Sequence, residues 1–367
     1  MIDVNATLEP PLKVGVIGLG WAGQQHLLGY KALPGVEVVG LSGKEPDTLH
    51  ALGGEHGIDG LFESWEQLLD EADLDAVSVA APNFLHAPIA IAALKRGIHV
   101  LSEKPIARNG AEGQLMVDAA RSAGRVLDVA FNHRLRGDVQ ALGEVLRRGD
   151  LGRPYYARAS WMRRKGIPQL GGWFTSRELA GGGPLADIGV HVLDYALFLL
   201  ADPQVTSVTA VTYNELGSRG IGGAGPVTAD LPGAACEVED FAAAFMRLSN
   251  GGTLVLETCW AGYRDPIDLI DFSVLATEGG AELKAVGATE TPVAELSIFT
   301  DLNGKPVDYT PKAEPGTGHA GVVENFVRVV RTPNQWPAHD GSLHLERMRV
   351  IDACYESAVE QKEITLT

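Results

Sequence analysis

The sequence predicts an α/β protein of two domains. The first is an N-terminal doubly wound parallel sheet. The second is a C-terminal α/β domain with a large, mostly antiparallel open sheet. Three observations predict this. The first 130 residues alternate short apolar runs with amphipathic helical stretches. Beyond about residue 131, long strand-like segments succeed one another with few helices between them. The 367 residues also exceed what one ordinary hydrophobic core serves.

The apolar runs fall at 14–17, 36–41, 76–80, 98–101 and 126–130, and each is short and rich in β-branched residues, as buried parallel strands are. Helical stretches near 24–33, 88–95 and 113–123 lie between them, which implies right-handed crossovers and helices on both faces of the sheet. A helix follows over 135–148, then strands over 155–163, 204–213, 238–248, 253–260 and 267–276. In 238–248 both alternating faces are apolar, through Phe241, Ala243 and Phe245 and through Ala242, Ala244 and Met246. Helices can cover one such face, and a second subunit is a reasonable cover for the other. Residues 217–233 are rich in Gly and Pro and predict a long loop. Helices over 320–331 and 344–360 close the chain. The expected domains are therefore 1–131 and 132–367, with the last helix able to pack back on the first domain.

The formal net charge is −17, from 30 basic and 47 acidic side chains. Such a surface disfavours nucleic acid or an anionic membrane as partner, while a few local cations can still bind a phosphate. The N-terminus lacks a basic, apolar leader pattern, and no apolar run approaches the roughly 20 residues of a membrane span. The expectation is a cytoplasmic protein, with Cys236, Cys259 and Cys354 as buried, reduced thiols. The ten histidines show no HxxxH or HExxH pairing, so no metal site is expected.

Chemistry enters at the first strand. Gly18, Gly20 and Gly23 form G-x-G-x-x-G between strand and helix, and with the intervening Trp21 and Ala22 they are the candidates for binding a dinucleotide. The first glycine permits a tight turn, the second lets backbone approach a pyrophosphate, and the third lets helix and strand pack. The helix N-terminus then offers free N–H groups to the anion. Three glycines alone are a weak signal in a chain with 44, and their place after the first strand is what strengthens it. A methyltransferase uses a similar turn and is the alternative at this point. The second strand ends in Ser42, Gly43 and Lys44, without the carboxylate that usually grips an unphosphorylated ribose. A hydroxyl, backbone N–H groups and an ammonium suit a 2′-phosphate, so NADP is favoured. NAD is the alternative, with Glu45 or Asp47 reaching back.

Two further motifs carry reactive side chains. Ser102-Glu103-Lys104-Pro105 follows the strand at 98–101, where the carboxyl ends of parallel strands bind ligands. A lysine there can meet a substrate hydroxyl, although a lone lysine is more often a solvated charge. The run Gly181-Gly182-Gly183 leads into a helix carrying Asp187, His191 and Asp194, spaced i, i+4 and i+7 on one face. An aspartate beside a histidine can orient the ring and raise its basicity, as a general base for an alcohol requires, and a structural His–Asp pair reads equally well.

Together with Ala81-Pro82-Asn83-Phe84-Leu85-His86, these motifs resemble the Gfo/Idh/MocA family, over nearly the whole chain and in order. The resemblance implies a Rossmann domain, then an α/β domain with a large open sheet, and a dinucleotide held at the cleft between them. It implies that Lys104, Asp187 and His191 act as a triad. His191 would exchange the hydroxyl proton, Lys104 would stabilise charge on the reacting oxygen, and Asp187 would position substrate or support His191. It further implies that Ala81, Pro82, Asn83, His86, Glu103 and Lys104 line the cofactor site, and that Lys104–Pro105 is cis. It also implies a homodimer or homotetramer packed through the second-domain sheet.

The aromatic and basic stretch around Arg163, Arg164, Lys165 and Trp173 suits a sugar's apolar face and hydroxyls; Arg163, Trp173 and Asn132 are the substrate candidates. A surface loop with basic residues is the bland alternative. The expectation is thus an NAD(P)-dependent dehydrogenase or reductase of a sugar, cyclitol or polyol. A non-catalytic dinucleotide-sensing regulator of the same fold is the rival, and such a protein has no reason to keep all three triad residues.

Overall fold

The computed structural model describes residues 10–224, 236–287 and 293–366. Its contacts divide the chain into two compact units. The first takes the chain up to Glu103 together with Gln114–Ala130 and His319–Ser342. The second takes Lys104–Gly113, Phe131–Gly318 and the chain from Leu343 onward.

In the first unit β1 (Leu12–Ile17), β2 (Val36–Ser42), β3 (Leu61–Phe62), β4 (Ala76–Val79), β5 (His99–Ser102) and β6 (Leu127–Val129) form one parallel sheet in the order β3-β2-β1-β4-β5-β6. Val14, Val16, Val77, Val79, Val100 and Leu101 are wholly buried, because helices cover both faces and every strand position meets apolar matter. The crossovers are α1 (Trp21–Ala32), α2 (Pro46–His56), α3 (Trp65–Glu71), α4 (Asn83–Lys95) and α5 (Gly110–Ala123). On α1 the buried Gly23, His26, Leu27 and Tyr30 follow helical spacing. The order reverses between β1 and β4, so the crevice at their carboxyl ends is the switch point where such sheets bind ligands.

The division is not a single cut after residue 131. Residues His319–Ser342 rejoin the first unit because their contacts lie there. Gly29 of α1 leaves room for Val323, which a Cβ would approach to 3.1 Å. The Arg331 guanidinium donates to the Gly35 carbonyl at 2.6 Å, and Leu127 N donates to the His339 carbonyl at 2.9 Å.

The second unit holds a nine-stranded sheet. In chain order its helices and strands are α6 (Gly137–Arg148), β7 (Pro154–Arg163), α7 (Arg177–Ala180), α8 (Val190–Leu199), β8 (Val205–Tyr213), β9 (Phe241–Leu248) and β10 (Thr253–Cys259). They continue with β11 (Asp268–Ala276), β12 (Gly279–Val286), β13 (Val293–Leu302) and β14 (Lys305–Tyr309). Then come α9 (Gly318–Val330), most of which belongs to the first unit, α10 (Ser342–Glu360) and β15 (Ile364–Thr365). The order is β14-β13-β12-β11-β7-β10-β9-β8-β15, with only β7 and β10 paired in parallel.

One face of this sheet is buried through Ala157, Ala159, Ala244, Met246, Leu254, Leu256, Phe272 and Leu283. On β9 the alternate residues face the other way, and Phe245 is 43% exposed where Ala242, Ala244 and Met246 are buried. The expected cover by helices is therefore present on one side only of this strand. The predicted loop over 217–233 contains a short 3-10 turn at Gly217–Arg219, and its residues 225–233 lie outside those described.

Candidate active site

The glycine turn is shaped by collision. Gly18 has φ +89°, and a Cβ there would stand 2.3 Å from the Ala80 carbonyl oxygen of the neighbouring strand's exit. At Gly23 a Cβ would meet the Gly18 carbonyl oxygen at 1.8 Å. Gly20 differs: a Cβ there would meet nothing within 4 Å. Fold packing demands the outer two glycines, while the middle one leaves clear space over the backbone. Gly20 caps α1 without a side-chain hydrogen bond, and Trp21, Ala22 and Gly23 form its first turn, where helix N–H groups have no intrahelical acceptor. Clear space, free N–H groups and the positive helix end fit a pyrophosphate. At the end of β2, Ser42 is buried and its carbonyl accepts from Gly18 N at 2.9 Å, whereas Lys44 is exposed.

The segment after β4 is braced from within. Ala81 and Pro82 precede α4, Asn83 opens it, and the wholly buried His86 ring nitrogen Nε2 stands 2.8 Å from the Ala81 carbonyl. Glu103, at the exit of β5, is also buried. His26 Nε2 and His319 Nε2 lie 3.2 and 3.3 Å from its Oε1. Burial alone would raise the Glu103 carboxyl, but hydrogen bonding and charge from the two histidines outweigh it and hold it well below the usual carboxylate range. Behind them, His26 Nδ1 meets Ser78 Oγ at 3.0 Å, and the Tyr30 hydroxyl meets the same oxygen at 2.9 Å. His26, Glu103 and His319 offer ligand atoms within 4.8 Å of one another, the nitrogen and oxygen donors a divalent transition metal accepts. Sequence spacing could not have shown this set, because fold closure assembles it from α1, β5 and α9.

In the second unit, Lys104 and the glycine-led turn come together. The Lys104–Pro105 peptide is cis. Lys104 Nζ donates to Asp187 Oδ1 at 2.8 Å and to the Asp187 carbonyl at 3.2 Å. The other carboxylate oxygen, Oδ2, accepts from Trp260 Nε1 at 2.9 Å. Burial raises the Asp187 carboxyl, but the charges of Lys104 and Arg163 and these hydrogen bonds prevail and leave it below its ordinary value.

The turn carrying Asp187 is held from outside. Glu239 Oε1 accepts from Gly183 N at 3.0 Å, Leu185 N at 3.2 Å and the Tyr355 hydroxyl at 2.8 Å. A Cβ at Gly183 would stand 2.1 Å from the Glu239 carbonyl oxygen, and one at Gly182 would stand 1.9 Å from the Tyr355 hydroxyl. The triple glycine thus serves close packing of this turn.

Residues Leu185–Gly189 form a π turn, after which α8 continues. This corrects the expectation that Asp187 and His191 share a regular α-helical face. A π turn widens the spiral, and such turns gather at functional sites. The carboxylate of Asp187 pairs with Lys104 and Trp260, while the buried His191 ring packs 4.6 Å from His133 and 6.0 Å from Trp161, centroid to centroid. Asp194 serves a different purpose, pairing with Arg134 and with Arg347.

Of the substrate candidates, Arg163 joins this group. Its guanidinium lies 4.8 Å over the Trp161 ring and 3.3 Å from Asp268, which also accepts from Trp161 Nε1 at 2.8 Å. Asn132 is buried in the 3-10 turn Asn132–Leu135, next to His133. Trp173 stacks on Phe174, with centroids 3.8 Å apart. Sequence reasoning missed Trp260, His133 and His26. Only His26 carried a signal, lying three positions after Gly23 on the helix face that turns inward. Cys236 and Cys259 are buried and pushed up to about 11 by burial, unlike an activated thiol.

Residues 12–131 match the model of an oxidoreductase family with an NAD-binding Rossmann fold, and residues 139–282 match the GFO/IDH/MocA C-terminal domain. The chain is 34% identical over 304 residues to D-glucoside 3-dehydrogenase of Escherichia coli (strain K12), covering 82% of each. It is 30% identical over 321 residues to levoglucosan dehydrogenase of Pseudarthrobacter phenanthrenivorans, covering 83% of this chain and 81% of the relative. Among solved structures, an aldose–aldose oxidoreductase from Caulobacter crescentus complexed with glycerol superposes with TM-score 0.79 at 25% identity, covering 97% of this chain and all of that one. A levoglucosan dehydrogenase complexed with NADH shares the fold, with TM-score 0.81 at 24% identity over 97% and 99% of the two chains. By its sequence in both domains, by its fold and by its relatives, this chain belongs to the Gfo/Idh/MocA family of oxidoreductases.

Proposed function

We propose that this oxidoreductase moves a hydride to or from a hydroxyl-bearing carbon of a sugar or cyclitol, with Lys104, Asp187 and His191 as its reacting group. The observation that carries this is the lysine ammonium held by both the carboxylate and the carbonyl of Asp187, in a turn leading directly to His191. A bound dinucleotide supplies the hydride acceptor at nicotinamide C4. In the oxidising direction His191 takes the hydroxyl proton. Lys104 donates a hydrogen bond to the same oxygen and stabilises the negative charge that grows on it. Asp187 keeps the ammonium aimed. Relatives named for glucosides, levoglucosan and inositol make a ring polyol the natural substrate class, and their names as dehydrogenases leave the regulator reading without support.

The dinucleotide belongs over the Gly18–Gly23 turn, with Gly20 giving its backbone room and Trp21 and Ala22 supplying N–H groups. Asn83 lines the same crevice; His86 and Glu103 act from behind it, by bracing the Ala81–Pro82 turn and the exit of β5. The hydroxyl of Ser42, the Gly43 backbone and the Lys44 ammonium favour NADP, with NAD the alternative. Asn132, Arg163 and Trp173 are the substrate-side candidates. The exposed face of β9 favours a homodimer or homotetramer.

The test is fluorescence titration with NADPH and NADH, followed by turnover of sugars and inositols by the wild type and Lys104→Ala. The variant should bind dinucleotide within about twofold of wild type and lose roughly 100-fold or more in kcat, as expected for a group aimed at developing charge. Retained turnover would remove Lys104 from the mechanism. Failure to bind either dinucleotide would remove the reading altogether.

A further inference from the structure

We infer that Trp260 is a positioning residue of the reaction: its indole N–H pins the Asp187 carboxylate so that one oxygen alone is presented to Lys104. The inference rests on the reading of Lys104, Asp187 and His191 given above.

A buried carboxylate has about four lone-pair directions and two freely exchangeable oxygens. Lys104 is a point-charge donor on a flexible stem and imposes little direction on its acceptor. An Asp187 carboxylate held by the lysine alone could turn about its last bond and draw the ammonium with it. Trp260 removes that freedom. It lies just past β10, wholly buried, with its backbone N donating to the Asp240 carbonyl at 2.9 Å. A fully packed indole has no room to follow a rotating carboxylate. Its Nε1 reaches Oδ2 at 2.9 Å, while Lys104 holds Oδ1 at 2.8 Å and the Asp187 carbonyl at 3.2 Å. Three hydrogen bonds from two donors therefore set one orientation of side chain and backbone together. An indole N–H buried in a core needs one acceptor; spending it on a charged side chain beside the reacting lysine is what distinguishes Trp260 from a packing tryptophan.

The charged groups facing Asp187 are Lys104 and Arg163, and Arg163 is itself paired with Asp268. The indole bond adds to their effect and helps keep the carboxylate ionised. Its loss should therefore raise the pH at which Asp187 takes up a proton, a shift read on the Asp187 carboxyl carbon itself by NMR.

The decisive variant is Trp260→Phe, which keeps an aromatic filling and deletes the donor. The expected result is a fall in kcat of about 10- to 100-fold, the scale of a misplaced reacting group, with sugar KM and dinucleotide Kd within about twofold of wild type. The Asp187 carboxyl carbon should titrate at higher pH than in the wild type. In an Asp187→Ala background the same change should cost less than about twofold, because the acceptor of the indole N–H is gone. A benzothienyl-alanine introduced at position 260 is isosteric without the N–H; it should reproduce the kcat loss, and it replaces Phe should that variant fold poorly. An unchanged kcat and an unmoved Asp187 titration in a folded protein would overturn the inference, as would a full loss persisting beside Asp187→Ala. If Lys104→Ala and His191→Ala also retain turnover, the underlying reading fails; if they abolish it while Trp260→Phe does nothing, only the role of Trp260 fails.

Discussion

At the scale of single residues, two aspartates on one turn-and-helix segment have opposite employments. Asp187 is paired with Lys104 and Trp260, within the group proposed to react. Asp194, buried to 1% exposure, is paired with Arg134 and Arg347. Burial would raise the Asp194 carboxyl, but the two guanidinium groups override it and hold it below its usual value. Removing it takes from Arg134 and Arg347 a buried carboxylate they share, while Arg347 keeps Asp202, so Asp194→Ala should cost about 3 kcal/mol of stability by urea unfolding. A folded-state value below the unfolded one means the pair's stabilisation is fully present above the unfolded aspartate value, about 3.9, and is lost as pH falls through the folded value. The cost of the variant should accordingly shrink in acid; a cost independent of pH between 7 and 3 would contradict this ion-pair account. Sequence separated these two roles poorly, because periodicity places both on one face while partners come from distant segments. Lys104, Asp187 and His191 were legible through their motifs. Trp260 was not, since a tryptophan ending an apolar strand reads as core.

At the scale of elements, the β1–α1 turn shows how similar letters divide their labour. Gly18 is held by backbone sterics, both by its φ of +89° and by the Ala80 carbonyl 2.3 Å from any Cβ. Gly20 is surrounded by open space. Gly18→Ala should therefore destabilise the first unit by about 2 kcal/mol or more, read as a lower thermal midpoint. Gly20→Ala should leave that midpoint within about 1 kcal/mol of wild type while weakening dinucleotide affinity at least about tenfold, because the added methyl occupies space the pyrophosphate needs. Equal midpoints for the two variants, or unimpaired affinity in Gly20→Ala, would refute this division. The elements that sequence predicted best were those with two covered faces, such as β1 and β4, where apolar residues stand on both alternating sides of the strand. It missed β3, which is two residues long, and α2, whose helix contains Gly53 and Gly54. It also missed β14, an edge strand with Pro306 and almost no buried residue, because an edge needs neither alternation nor a full set of N–H donors. The π turn was beyond reach, because it depends on the Glu239 and Lys104 contacts that hold it.

At the scale of the whole molecule, charge and apolar surface pull against each other. Each protomer carries a formal −17, so copies repel at long range. Yet the second sheet exposes Tyr213 at 49%, Phe245 at 43% and Leu275 at 48%, more large apolar surface than a solvated face requires. Central pairs such as Arg158 on β7 with Glu257 on β10, 2.8 Å apart, neutralise charge on the same sheet. If this face joins copies of the chain, the attraction is short-ranged and apolar while the opposition is long-ranged and screened at about 8 Å in physiological salt. Association should then strengthen as salt rises from 20 mM toward about 0.5 M, opposite to a contact held by ion pairs. Phe245→Asp adds a charge opposite Val255 and Thr209 on the neighbouring strands, where a twofold contact would bring its own copy close. Sedimentation velocity at 10 µM should show a wild-type dimer or tetramer that tightens with salt, and a Phe245→Asp protein shifted toward monomer with an unchanged unfolding midpoint per chain. A monomeric wild type at every salt concentration, or a variant that assembles as well as wild type, would mean that this face is not what joins the subunits.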